Sequence, residues 1–446
     1  MTRVIEWIIS LLIVVALFAV IGVFLPSKRS VSHEVETNRP MSTVNDLLGS
    51  FTRFKDWNAL INHDPKMKLE TSGPVSGVGA KLSYSSTQAQ VGSGSWEVIE
   101  EVPGERIVYA LNTPGRGQNK KMTFTFERTG QRNQNVKITQ RYTVDYGWDL
   151  LGRYAGLYVT DSIGDDIKRG LTKFGNLLAT IPRFDYSGHE APFEFVDLPP
   201  QNVLLATATA RRANDEIAVA MSNQLKWIEQ VMGKNDLERA GPMRIVTNEF
   251  STDTYAFDVV VPVRRKGTGP ALPDAEEGDD AAAGEGDAGD AADEAMDAAD
   301  AAEVAVAPVD PSAPLERFDV EVEGPVIYAQ LPKMRVAVTD YVGPAPGLPR
   351  IRDLVRAWAM VRGAETTGRP FEDYLNPIKD MLNEDAEFRV YYPIDVPGED
   401  EGLILQIAPV PVEETEDGPI ADPEDAEAAP AAEGEAAEPA AAPAEA

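Results

Sequence analysis

The sequence predicts an α+β chain in three parts: one transmembrane helix at the N-terminus, a helix-grip arrangement in which a curved sheet wraps a long helix, and a duplicated βαβ-type unit. Three observations lead there. Trp7 to Leu25 is a run of 19 residues in which Ser10 is the sole polar member. Between residues 80 and 145, short alternating segments separated by turn residues precede one strongly periodic helix pattern. Further on, Trp227 to Pro262 and Trp358 to Pro393 each span an interval of 35 residues with the same punctuation between.

At ~1.5 Å per residue the apolar run reaches about 28 Å, close to the hydrocarbon thickness of a bilayer. Trp7 stands at one edge, where an amphipathic ring prefers the interface. A cleaved signal sequence is the competing reading, but Leu25-Pro26-Ser27-Lys28-Arg29 follows the run in place of a small-x-small motif. Residues 4–26 are therefore expected to be a retained, single-pass membrane helix. Arg3 on one side and Lys28 and Arg29 on the other leave the positive-inside rule nearly balanced. The architecture favours a short cytoplasmic N-terminus and a periplasmic or extracytoplasmic soluble part.

Residues 31–182 are expected to form the first domain. Val31–Asn38 alternates like a strand, the segment from Pro40 to Val44 opens a short helix, and Phe51–Leu60 adds aromatics. Strands are predicted over Ala80–Ser86, Gly94–Glu101, Arg106–Leu111, Lys121–Glu127 and Val136–Asp145. A helix over Ser162–Ile181 closes the region. Its residues Ile163, Ile167, Leu171, Phe174, Leu178 and Ile181 step by three and four and draw one buried stripe. Phe54-Lys55-Asp56-Trp57-Asn58, Gly92-Ser93-Gly94-Ser95-Trp96-Glu97-Val98 and Asp165-Asp166-Ile167-Lys168-Arg169-Gly170-Leu171 stand in that order. With them the region resembles the SRPBCC, or START-like, superfamily, which includes polyketide-cyclase-like proteins. The resemblance implies a ligand cavity between sheet and long helix, and no universal catalytic residues. Trp57, Trp96, Tyr84 and Tyr142 are the candidates to line it, an ordinary core position being the alternative for each.

A linker, 183–190, leads to a region spanning 191–397. In one half Trp227 sits on a helix, Gly241-Pro242 follows, and Val261-Pro262 ends a strand; in the other, Trp358, Gly368-Arg369-Pro370 and Tyr392-Pro393 do the same. Upstream, each half has two strands joined at a Leu-Pro: Phe193–Leu198 with Val203–Ala210, and Val326–Leu331 with Arg335–Tyr341. Each unit reads β-β-α-β. An acidic Ala/Asp/Glu/Gly/Pro insert, 267–314, divides the halves, and a similar tail occupies 398–446; both are expected to be disordered. Tyr341-Val342-Gly343-Pro344, Ala357-Trp358, Gly368-Arg369-Pro370-Phe371-Glu372-Asp373-Tyr374-Leu375 and Arg389-Val390-Tyr391-Tyr392-Pro393 resemble the gyrase-inhibitor-like effector-binding domain, also found at the C-terminus of multidrug-sensing transcription regulators. That resemblance implies two pseudo-symmetric repeats around an aromatic-lined cleft for small molecules, often flat and cationic. The family usually carries Glu four residues before the last Pro, where this chain has Arg389. A guanidinium there disfavours a cation and favours an anion. The alternative is that Arg389 faces solvent or pairs with Asp258 or Glu387. Tyr341, Tyr374, Arg389, Tyr391 and Trp358 are the candidate cleft residues, Trp358 also falling on the core stripe Ile351, Leu354, Val355, Trp358.

The formal net charge is −31. It is concentrated: 13 acidic residues lie between Asp274 and Glu303 and 12 from Glu413 onward, with no basic residue in either stretch, which leaves −6 for the rest. Acidity argues against nucleic-acid binding. The absence of cysteine excludes disulfides and thiolate chemistry. His33, His63 and His189 stand apart, and no P-loop, nucleophile elbow or HExxH motif is present. No cofactor, metal or catalytic residue is therefore assigned, and acid/base candidates reduce to Asp56 and Glu97. The expected function is a membrane-anchored small-molecule-binding protein, acting as sensor, carrier or sequestering protein with two ligand-holding modules. A hydrolase or cyclase-type enzyme using the helix-grip cavity is the alternative. Expected partners are a small apolar or aromatic ligand, with an anion admitted by Arg389, the membrane through the N-terminal helix, and no nucleic acid.

Overall fold

The computed structural model describes residues 2–269, 315–376 and 381–395. Of the two units into which the chain divides, Met1–Leu405 holds all of these, and Gln406–Ala446 lies outside them. The acidic insert beyond residue 269 and the tail 398–446 also fall outside. The architecture is mixed α/β with two antiparallel sheets and one apolar N-terminal helix.

That helix, α1 (Thr2–Phe24), has a mean hydropathy of 3.0 over its best window and is long and apolar enough to cross a membrane. Leu25, Pro26 and Ser27 alone separate it from β1 (Lys28–Thr37). The helices α2 (Met41–Gly49), α3 (Phe54–Trp57) and α4 (Leu60–His63) follow. Then come β2 (Lys68–Ser72), β3 (Lys81–Ser85), β4 (Ser93–Val102), β5 (Arg106–Asn112), β6 (Gln118–Thr129) and β7 (Asn135–Asp145). The seven strands are ordered β1-β7-β6-β5-β4-β3-β2, so the first strand pairs with the last. β2 lies outside the predicted strands because it is an edge strand with four of five residues exposed and hence no apolar alternation.

After α5 (Leu150–Ala155), α6 (Val159–Thr180) packs along β1 and buries Ile167, Leu171, Phe174 and Leu178. Gly164 permits the approach: a Cβ there would stand 3.2 Å from the Val31 side chain. Under α6, Phe54, Trp57, Trp96, Tyr109, Phe124 and Phe174 form edge-to-face contacts with centroids 5.3–5.8 Å apart. Such pairs contribute about 0.5–1.5 kcal/mol each beyond their burial.

The second sheet is built from two halves of the same element order. The first comprises β8 (Glu194–Leu198), β9 (Gln201–Arg211), α7 (Asn214–Lys234), β10 (Leu237–Arg239), β11 (Met243–Phe250) and β12 (Thr254–Arg265). The second comprises β13 (Val326–Leu331), β14 (Met334–Val342), α8 (Leu348–Val361), β15 (Glu365–Thr366), β16 (Phe371–Tyr374) and β17 (Glu387–Asp395). Three strands therefore follow each helix, where the sequence suggested one; β10 and β15 are too short to show a period. The shared punctuation has a structural cause. Gly241 packs on Pro262 and Gly368 on Pro393, while Ala240 N–H donates to Pro262 O at 2.8 Å and Thr367 N–H to Pro393 O at 3.1 Å. Neither proline ends its strand, contrary to expectation: β12 runs on to Arg265 and β17 to Asp395. Proline lacks a donor, but its carbonyl still accepts.

The main strand path is β13-β9-β12-β11-β16-β17-β14-β8. The halves meet at β11–β16, and their first strands are exchanged: β8 pairs with β14, and β13 with β9. Arg53 joins the first sheet's helices to the second region, donating to Met360 O at 2.6 Å. Arg362 reaches Asp46 at 3.6 Å, which also accepts from Tyr186 Oη at 2.9 Å.

Candidate functional site

A cavity of about 370 Å³ lies between α6 and the first sheet, within the ordinary size of small-molecule sites. Its walls come from distant parts of the chain: Trp57 and Leu60 from α3 and α4, Tyr84 from β3, Trp96 from β4, Met122 from β6, and Ile163 and Ile167 from α6. Gln140 and Tyr142 both contribute from β7 because residues two apart on a strand share a face. The four aromatics singled out in the sequence, Trp57, Tyr84, Trp96 and Tyr142, thus meet around one space.

Polar atoms in this wall lack partners. Trp57 Nε1, Trp96 Nε1 and Gln140 Oε1 are buried without a hydrogen bond. Gln140 is only 3% exposed, and its Nε2 donates to Met122 Sδ at 3.3 Å. Burial raises the pKa of Tyr84, and burial with the neighbouring Tyr146 raises that of Tyr142, so both hydroxyls keep their protons.

At the rim His63 Nε2 stands 3.0 Å from both carboxylate oxygens of Asp166, and Arg169 Nη2 donates to Asp166 Oδ1 at 2.7 Å. The histidines stand apart in the sequence, and this pair exists only because the fold brings α4 to α6. The available signal was Asp166 itself, three residues after Ile163 and four before Gly170, which places it on the helix face lining the cavity. The two acid/base candidates from sequence are elsewhere. Asp56 pairs with Arg53, and Glu97 pairs with Lys81 at 3.3 Å, one residue out of phase with Trp96.

The five candidates in the second region divide between the two faces of its sheet. Tyr341 and Tyr374 pack on Phe388 with centroids 5.9 and 4.9 Å away, and Trp358 packs on Phe193 and Phe195 at 5.5 and 4.8 Å. These three belong to the helix-covered side, so a common cleft for all five is corrected. Arg389 and Tyr391 lie on the opposite face with Val196, Leu198, Val338 and Asp340, around a hollow of about 370 Å³. Strand alternation is the cause: Tyr374 pairs with Phe388, which is out of phase with 389 and 391.

Arg389 pairs neither with Asp258 nor with Glu387. Its cross-strand neighbour Asp340 accepts from Nε at 2.6 Å and from Nη2 at 3.1 Å, and both side chains are about half exposed. The cationic wall expected from Arg389 is therefore neutralised within the fold. Deeper on the same face, Arg244 pairs with Asp373 at 2.7 Å and lies over the Phe371 ring at 4.4 Å. Burial, then the Asp373 charge, raises the pKa of Tyr391. Asp258 accepts from Thr207 and Asn248, each at 2.7 Å, with Arg369 3.3 Å away. On the helix side Arg352 pairs with Glu372 at 2.5 Å; burial raises the carboxyl's pKa and the Arg352 charge opposes that shift.

No family model matches the chain, and no curated protein matches it. Solved structures show distant similarities. The EcmrR C-terminal domain is similar at 11% identity and a TM-score of 0.29, covering 46% of this chain and 98% of that one. EcmrR in its DNA complex is similar at 10% identity and a TM-score of 0.30, covering 60% and 88%. Truncated norcoclaurine synthase from Thalictrum flavum is similar at 14% identity and a TM-score of 0.26, covering 33% and 92%. The EcmrR–DNA complex overturns the expected set of partners as stated, because that set excluded nucleic acid. The physical flaw in the exclusion is that the acidic residues are concentrated in 274–303 and 413–446, so net charge says little about the surface of the sheets.

Proposed function

We propose that this chain is a membrane-anchored small-molecule-binding protein in a sensing, carrying or sequestering role, with ligand held between the first sheet and α6. The observation that carries the reading is the trio of buried, unpartnered polar atoms on Trp57, Trp96 and Gln140 around one cavity. Leaving such an atom unpaired costs about 1–3 kcal/mol. A ligand with an acceptor for the indole N–H groups and a donor for Gln140 Oε1 removes that cost. The wrapped helix and the four converging aromatics support an SRPBCC-type module over 31–182. The paired halves of the second sheet support an effector-binding-type module over 191–397, with the hollow beside Tyr391 as its site. Retention of α1 as a single-pass anchor is supported by Arg153, which donates to three carbonyl oxygens at the end of that helix and so fastens it to the folded domain; the soluble part is proposed to be extracytoplasmic.

Native mass spectrometry of the full-length protein released from detergent tests the binding role. A ligand-sized mass excess is expected, and it should disappear in the Trp57→Phe/Gln140→Leu variant. An excess retained by that variant would remove this cavity as the site. Alkaline extraction tests the anchor: full-length chain recovered in the soluble fraction with Met1 intact would sink it.

One observation favours a second reading, a hydrolase or cyclase-type enzyme in the same cavity. His63 and Asp166 are in hydrogen-bond contact and both line the cavity, the placement a general acid/base needs. Under this reading His63→Gln keeps the copurifying mass but stops its conversion. Equal product in both proteins rules the pair out.

A further inference from the structure

The segment between β7 and α6 is more apolar at its surface than a soluble connection needs. Trp148 is 80% exposed, Leu151 53%, Leu157 47% and Tyr158 69%. The same segment is fastened to α1. Tyr154 stacks on Phe18 with centroids 3.9 Å apart and donates from Oη to Phe18 O at 2.8 Å. Gly22 lets α5 approach, since a Cβ there would stand 3.2 Å from Tyr154 and 3.3 Å from Leu150. Arg153, only 7% exposed, donates to the carbonyls of Gly22, Val23 and Leu25 at 3.3, 2.7 and 3.1 Å, and to Gly147 O at 2.6 Å. It thereby satisfies carbonyls that a helix C-terminus leaves unpaired.

We propose that Trp148–Tyr158 is a second membrane contact, buried in the headgroup and acyl boundary of the bilayer that α1 crosses; this rests on α1 being a membrane helix. The depth follows from the clamp. Phe18 lies seven residues before Leu25, or about 10 Å along the helix axis. Arg153 holds the segment at Gly22–Leu25 and Tyr154 reaches back to Phe18, so it lies between the end of the span and about 10 Å below it, the depth at which interfacial helices bury their apolar side. Trp148 and Tyr158 bracket the segment, as amphipathic rings do at a membrane surface. Leu151 and Leu157 expose carbon on a segment that is clamped to α1, so one lipid phase covers both.

The chain contains no cysteine, so single-cysteine variants can be labelled cleanly. Full-length Leu151→Cys, Leu157→Cys, Val14→Cys and Val75→Cys variants, each carrying an environment-sensitive fluorophore, are compared in phosphatidylcholine vesicles with and without bromine on the acyl chains. Val14 reports the span, and Val75, 84% exposed in the β2–β3 connection, reports an apolar residue outside the proposed contact. Bromine should quench positions 14, 151 and 157 about twofold or more and leave 75 unchanged. Quenching at 14 without quenching at 151 and 157 overturns the second contact while the anchor stands. Absence of quenching at 14 as well as at 151 and 157 overturns the anchor and the contact together.

Discussion

Around the first cavity, Trp57, Trp96 and Gln140 keep polar atoms without partners, whereas on the open face of the second sheet Arg244 and Asp373, Arg369 and Asp258, and Arg389 and Asp340 are already paired. A molecule entering the first space completes bonds that the fold leaves open. A molecule entering the second competes with ion pairs that exist without it. Similar cavity volumes therefore conceal different selectivity: the first rewards any well-placed donor and acceptor, and the second admits a ligand only if it outbids a charge.

The contrast breaks most visibly if the second region's pairs are not structural. Arg244→Met leaves Asp373 buried without its guanidinium partner, and should cost about 3–5 kcal/mol in urea denaturation, much of it recovered in Arg244→Met/Asp373→Leu. A loss below about 1 kcal/mol would mean that Asp373 is solvated. In the first cavity the matching experiment has the opposite sign. Gln140→Leu removes an unpaired acceptor, so stability should hold within about 1 kcal/mol or rise. A loss of about 3 kcal/mol would show that Gln140 Oε1 is bonded within the fold and end the contrast.

Arg389 sharpens the comparison within the second region. Its pair with Asp340 is half exposed, so Arg389→Ala should change stability by less than about 1 kcal/mol, against the much larger effect at Arg244. The smallest effect is expected at α5. The Gly152 N–H and the Arg116 guanidinium hold the Asp149 pKa below its ordinary 3.8. A carboxylate whose pKa is depressed by folding stabilises the fold above its unfolded pKa, and that contribution is lost as pH falls through the folded value. Amide protection at Gly152 should therefore fall below about pH 4, and Asp149→Asn should flatten the profile.

Features set by local periodicity could be read from the sequence. The stripe Ile167, Leu171, Phe174 and Leu178 marks the buried side of α6 in the sequence itself. Features set by register could not. Tyr374 lies on the far side of the sheet because it pairs with Phe388, and Asp340 neutralises Arg389 because β14 lies beside β17 in that register. His63 and Asp166 are 103 residues apart, and nothing local joins them. The Gly-Pro spacing was visible, but its meaning, a glycine seated on a proline that stays within its strand, required the sheet.

The exchanged strands β8 and β13 have a bearing on biosynthesis. Neither half of the repeat owns a complete set of edges: without the second half, β9 loses β13 and β11 loses β16, and without the first, β14 loses β8. An isolated half would present unpaired strand edges, which template aggregation. A ribosome that has made the first half must therefore hold an unfinished sheet until β13 emerges. Once both halves have met, a cut between residues 269 and 315 should leave two fragments that stay together as a split protein.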